Sequence, residues 1–186
     1  WHHIIQEKVM AYISFVGEPV QEHINAYWTS RREINVYARD NFFTLYCALM
    51  DDVQDILRLG VAAMSGALIV FRRWSPFTIP SSIPFHLTRL WVRAYGLPFE
   101  YLSNDIGELI TRFSEGNSYV EPIHNVPSHF YIRMTVTVDL EQPLQPGFFL
   151  AGREDPLIWI QFRYEEVFRY CNKCGRVGHK SDRCER

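Results

Sequence analysis

No run of eighteen apolar residues occurs in this 186-residue sequence, so no membrane-spanning helix and no membrane partner is expected. A glycine-rich phosphate loop is missing, as is any convergent set of nucleophile and base. An enzyme is therefore the least supported class, and no catalytic residue is assigned. His2 and His3 are adjacent but isolated. Asp51 and Asp52 read as the solvated start of a helix rather than as a metal-binding pair. No secretory signal is visible, and position 1 is not Met, which leads us to expect a fragment of a longer chain. Cysteine is scarce: four residues, three of them within fourteen positions. Such clustering points to a metal rather than to disulfides, and so to a reducing, intracellular compartment, nucleus or cytoplasm. Cys47 stands apart in an apolar run and reads as a buried structural residue.

What the chain does have is hydrophobic content of 47% and aromatic content of 15%, enough for packed cores with rings to spare for stacking. The formal net charge of −2 argues against a uniformly basic surface. Its distribution is uneven. Residues 163–186 hold seven Lys/Arg against four Asp/Glu, whereas the first 162 residues hold twelve against seventeen. The basic excess lies at the C-terminal end.

The pattern of strands and helices predicts an α+β protein. A first strand lies at either Ile4–Met10 or Ala11–Val16. A short helix from Pro19 to Trp28 follows, then strands at Ile34–Ala38 and Phe42–Ala48. Asp51 is placed to cap a helix ending at Leu59, with Gly60 as its stop, and Leu68–Trp74 closes the unit. This βαββαβ order is that of a ferredoxin-like, RRM-like sandwich over residues 1–76. Residues 77–88, rich in Pro and Ser, read as a linker. Residues 89–166 form a second small α+β unit. Its strands are Leu90–Tyr95, Tyr131–Leu140, Phe148–Leu150 and Leu157–Tyr164, and its helix is Asn104–Phe113 with Ile106, Leu109, Ile110 and Phe113 on one face. In the strand from Tyr131, Ile132, Met134, Val136 and Val138 share one side. Trp91, alternating with Val92, is expected in the core. No sequence repeat of fixed period is seen.

Residues 167–186 carry the most specific signal. Cys171, Cys174, His179 and Cys184 are spaced C-x2-C-x4-H-x4-C. Two thiolates three residues apart can grip an ion from one tight turn, and the imidazole and third thiolate close a tetrahedron. Three sulfurs and one nitrogen with no open position describe one structural Zn2+. Gly175 and Gly178 let the backbone turn about it, and so short a module takes its folding energy from the metal. The segment Cys-Asn-Lys-Cys-Gly-Arg-Val-Gly-His-Lys-Ser-Asp-Arg-Cys resembles the CCHC knuckle of retroviral nucleocapsids. That resemblance implies binding of unpaired bases in an apolar cleft, with Lys173, Arg176, Lys180 and Arg183 on phosphates and Val177 and Tyr170 forming part of the platform. Asn172 stands where the retroviral type carries an aromatic.

In the strand from Phe42, alternation places Phe42, Thr44 and Tyr46 on the prospective open face, where an RRM-like sheet would stack bases on Phe42 and Tyr46. Arg72 and Arg73 sit at a strand end, placed either to hold phosphate or simply to edge the sheet. Three blocks, Leu68–Pro76, Leu90–Pro98 and the knuckle, resemble a plant family in which a domain of unknown function precedes a CCHC knuckle. Members of that family are similar to the first open-reading-frame product of LINE-type retrotransposons. The resemblance implies binding of single-stranded RNA or DNA in a retroelement particle, or host use of such a module. Self-association is left open. The rival is a protein-interaction module in which the acidic first 162 residues bind protein and the knuckle is accessory.

Overall fold

A computed structural model describes residues 7–13, 24, 34–39, 42–64, 67–77, 79–112, 118–123, 129–151, 157–167 and 169–185. The chain divides into two compact units, Trp1–Phe85 and His86–Arg186.

The first unit is a five-stranded antiparallel sheet built from β1 (Glu7–Ile13), β2 (Ile34–Arg39), β3 (Phe42–Cys47), β4 (Val61–Met64) and β5 (Ala67–Arg73), in the order β2-β3-β1-β5-β4. Helix α1 (Met50–Leu59) lies between β3 and β4 in the chain. β1 straddles the two alternatives expected for the first strand. The expected helix from Pro19 to Trp28 lies outside the described residues, apart from Ile24, which is helical and buried. Alternation along β3 is strict. Phe43, Leu45 and Cys47 are buried and pack with Val53 and Ile56 of α1, while Phe42, Thr44 and Tyr46 are half-buried on the other face.

Three expectations for this unit need correction. The strand β4 was not foreseen: Gly60, at φ 73°, stops α1 as expected, but the chain then forms a hairpin with β5 before the sheet ends. Asp51 is not the cap of α1, because Leu49 occupies that position without a side-chain hydrogen bond. Asp51 and Asp52 instead lie in the first turn, where negative charge favours the helix dipole, and Asp52 is buried rather than solvated. Residues 77–88 are more than a linker. Phe85 is buried with its ring centroid 5.8 Å from that of Phe42, and Leu87 and Thr88 already belong to the next strand.

The second unit contains β6 (Leu87–Tyr95), helix α2 (Asn104–Thr111), β7 (Tyr119–Val120), β8 (Tyr131–Asp139), β9 (Gly147–Leu150) and β10 (Ile158–Tyr164), in the sheet order β7-β8-β6-β10-β9. Counted within each unit, both sheets read 2-3-1-5-4, and all their pairings are antiparallel. The fold therefore repeats a strand order that the residues do not repeat. Ser103 caps α2 by accepting from the Ile106 amide at 3.4 Å. Ile110 is buried and Ile106 half-buried, but Leu109, expected on the same face, is exposed, and Phe113 lies outside the described residues.

The core under α2 is drawn from alternate residues: Val92 and Ala94 of β6, Ile132, Met134 and Val136 of β8, and Ile160 of β10. Trp91 is not among them. It is in phase with Arg89 and Arg93, so it lies on the face away from α2, where the Arg133 guanidinium sits 3.8 Å from its ring centroid. Gly96 holds φ 95°, and a Cβ there would stand 2.6 Å from the Trp159 carbonyl oxygen, so only glycine allows this approach to β10.

Two outcomes follow for stability. Gly96→Ala is expected to cost about 1–3 kcal/mol through backbone strain. Ile132→Ala, which empties a fully buried site, should cost about 2–5 kcal/mol and should exceed the cost of Trp91→Ala. Urea unfolding of the three variants measures this, and a Trp91→Ala chain less stable than Ile132→Ala would return Trp91 to the core.

Candidate metal centre and nucleic-acid interface

The chain leaves β10 at Tyr164 and reaches Cys171 seven residues later. The Cys171 carbonyl accepts from the Gly175 amide at 2.8 Å, and the Cys171 amide donates to the Arg176 carbonyl at 2.9 Å, so the segment between the first two thiols is a closed turn. Gly175 and Gly178 take positive φ of 72° and 109°, conformations that other residues adopt only with strain. On the far side the Ser181 hydroxyl accepts from the Asn172 amide at 2.9 Å, tying the short helical turn Ser181–Arg183 to the first cysteine loop.

These bonds bring the four donor atoms of Cys171, Cys174, His179 and Cys184 within 4.8 Å of one another, with the Cys174 sulfur 3.3 Å from His179 Nε2. Burial opposes ionisation of Cys171, but hydrogen bonds from the Cys174 and Lys173 amides and from the Cys174 and Cys184 thiols outweigh it and draw that thiol down to about 6. A thiolate is what a zinc ion requires. The donor set fits a closed tetrahedral site, positioned to bind one zinc ion.

The knuckle is joined to the second sheet by more than its covalent tether. The Leu144 amide donates to the Gly175 carbonyl at 2.8 Å, and a side chain at 175 would press on Pro143 and Leu144. Arg176 Nη1 donates to the Glu141 carbonyl. Arg176 thus serves to dock the knuckle, whereas Lys173, Lys180 and Arg183 are exposed. Val177 is half-buried, and so is Tyr170, whose phenol pKa is raised by burial and then by the negative charge of the neighbouring Cys171 and Cys174 thiolates.

On the first sheet, Phe42 is engaged with Phe85. Tyr46 meets Tyr37 edge-on at 4.9 Å, and Tyr37 is 63% exposed. Arg72 is half-buried, donates to its neighbour's carbonyl at 2.8 Å and has its pKa lowered by burial, while Arg73 is exposed.

Residues 149–186 match a family model described as a zinc knuckle. The match starts in β9 and takes in all of β10, so the family unit includes the strand that leads into the knuckle. No curated protein matches the chain.

The sequence reading did not single out the outer face of that same sheet. Arg93, Arg133 and Arg163 lie directly opposite one another on β6, β8 and β10, forming one cross-strand row. Each sits over a ring: Arg133 over Trp91, Arg93 over Tyr131 at 5.0 Å, and Arg163 over Tyr95 at 4.8 Å. Glu165 accepts from Arg93 Nε at 2.6 Å and from Arg133 Nε and Nη2 at 2.8 and 2.7 Å. Those bonds, Arg133's foremost, hold its carboxyl below the usual range and raise both guanidiniums. The signal was present in the alternation Arg89, Trp91, Arg93, Tyr95, which sets rings and cations in one phase.

One zinc per chain is expected by native mass spectrometry, lost to a chelator or at low pH as the thiolates protonate. A chain with an ordered C-terminus and no metal would contradict this. Because the folded-state pKa of Glu165 is lowered, its contribution is complete above about pH 4.3, the ordinary glutamate value, and is lost as pH falls through the lowered pKa. Glu165→Gln should cost about 1.5–3 kcal/mol at pH 7, toward the lower end because Arg93 is partly exposed. Thermal melts of both chains across the acid range should show the gap closing on acidification, with metal loss common to the pair. A gap independent of pH would show that the charge on Glu165 does not matter.

Proposed function

We propose that this protein binds single-stranded nucleic acid, RNA foremost, through its zinc knuckle, as a retroelement nucleocapsid does. The observation that carries this reading is a closed Cys3His site whose rim presents Lys173, Lys180 and Arg183 to solvent. Structural zinc fixes the loop, and exposed cations around a small turn suit the phosphates of an unpaired strand. The RRM-like reading of residues 1–76 draws support from β5-β1-β3-β2, the strand order of a ferredoxin-like sheet carrying one additional edge strand. The reading assigns no catalytic residue. It places the protein inside the cell, where thiolates stay reduced, and it takes the setting to be a LINE-type element or a host gene derived from one.

The rival, a protein-binding module with an accessory knuckle, is separated by salt. Titration of a labelled single-stranded RNA at two salt concentrations should show affinity falling steeply as salt rises. Lys173→Gln with Lys180→Gln should weaken binding for all sequences alike and flatten the logarithmic slope by about 0.7 per lost phosphate contact. Undiminished RNA affinity in Cys171→Ser, Cys174→Ser would remove the knuckle from the interface and favour the rival.

A further inference from the structure

We infer that the outer face of the second sheet is itself a single-stranded nucleic-acid surface, the row Arg93–Arg133–Arg163 meeting the strand's phosphates and bases and the flanking rings extending the stack. The inference rests on the nucleic-acid reading above and assigns it a second site.

The row is the decisive feature. Like charges directly opposite on neighbouring strands destabilise a sheet, and here three guanidiniums occupy consecutive strands in one register. Glu165 answers two of them, and Arg163 is exposed with no carboxylate partner among the described residues. Glu121, bonded to Arg133 at 3.0 Å, lies at one margin, and Arg89 and Asp139, opposite Thr137 and Leu87, lie toward one end of the face. The centre of the face is therefore cationic, although the first 162 residues are acidic as a whole. A second copy of this face would repel it, and an apolar partner would bury the Arg163 guanidinium with no carboxylate to pair it. An anion meets both demands.

The rings identify the anion. Each guanidinium lies over an aromatic ring, and Arg163, the exposed one, is placed to stack on a base as well as to meet a phosphate. Further along β10 and β9, Trp159 and Phe149 pair across the strands at 4.9 Å and are 43% and 62% exposed. Isolated phosphate has no use for those rings, and duplex RNA keeps its bases stacked away from them. A single strand uses both. The strand carrying Arg163 and Trp159 runs directly into the knuckle, so one ligand can meet both surfaces.

The test uses the zinc-loaded full chain, a fluorescein-labelled mixed-sequence single-stranded RNA and the duplex of the same sequence. Trp159 and Arg163 are exposed, so Trp159→Ala with Arg163→Ala should keep the circular dichroism spectrum and one zinc per chain. Affinity for the single strand should fall roughly 5- to 150-fold, the range for losing one stacked base, and the native preference over duplex should shrink. Arg163→Lys should hold the salt slope while losing part of the affinity, because ammonium keeps the charge but not the plane. Native-like RNA affinity in the double variant, with weakened binding in Lys173→Gln, Lys180→Gln, overturns the sheet-face site and leaves the knuckle reading intact. If the double variant binds RNA normally but loses self-association, the face is a protein surface and the inference falls. A native chain that binds neither RNA removes both readings.

Discussion

One carboxylate makes the second sheet tenable. The Glu165 amide extends the β10–β6 ladder by donating to the Trp91 carbonyl at 2.8 Å, and its side chain takes up Arg93 and Arg133. Without it, the central row would set three positive charges side by side, a distance of about 4.8 Å from strand to strand. Two guanidiniums sharing one carboxylate are locked in orientation as well as partly neutralised. The rings beneath them are then covered by flat cations. Glu165 is also the first residue past β10, so the end of the sheet's charge network is the start of the path to the zinc ligands.

The same economy of position runs through the knuckle. Its turn is closed by backbone bonds between Cys171, Gly175 and Arg176, and Gly175 serves twice. It adopts a conformation that a side chain would strain, and its bare α-carbon lets the carbonyl receive the Leu144 amide. Arg176, by sequence a phosphate ligand like its neighbours, bonds to the Glu141 carbonyl instead. The basic excess of the C-terminal segment is thus divided. Part of it fixes the module against the sheet, and part, at Lys173, Lys180 and Arg183, faces solvent.

Much of this was legible in the residues. The ligand spacing allowed only one metal site. The alternation in β3 assigned its two faces correctly, because a strand has a period of two and one buried face specifies the other, while in β8 it placed Ile132, Met134 and Val136 in the core but did not foresee that Thr135 on the other face is buried too. Trp91 shows where such reading fails. Its size argued for the core, while its phase with Arg89 and Arg93 argued for the open face, and phase prevailed because Val92 and Ala94 already supply this strand's share of the core beneath α2. The edge strand β4 was missed for a different reason. Four residues of Val, Ala and Met carry no alternation to read, and pairing with β5 alone makes them a strand.

The shared strand order of the two units was beyond sequence reading altogether. Strand order depends on where turns fall and which faces are apolar, not on which apolar residue stands at each place. Two sheets can therefore be arranged alike while their outer faces diverge in chemistry. On the first, Phe42 is taken up by Phe85 and Tyr46 by Tyr37, and position 10 of the central strand pairs with Thr44 and Arg72. On the second, Arg93 at the middle of the central strand pairs with Arg133 and Arg163. One strand order thus carries ring-to-ring pairs at Phe42 and Tyr46 in one unit and a cationic, ring-lined row in the other. The unit with the cationic face is the one that continues into the zinc ligands, so the chain places its charged sheet and its charged knuckle within a single compact body.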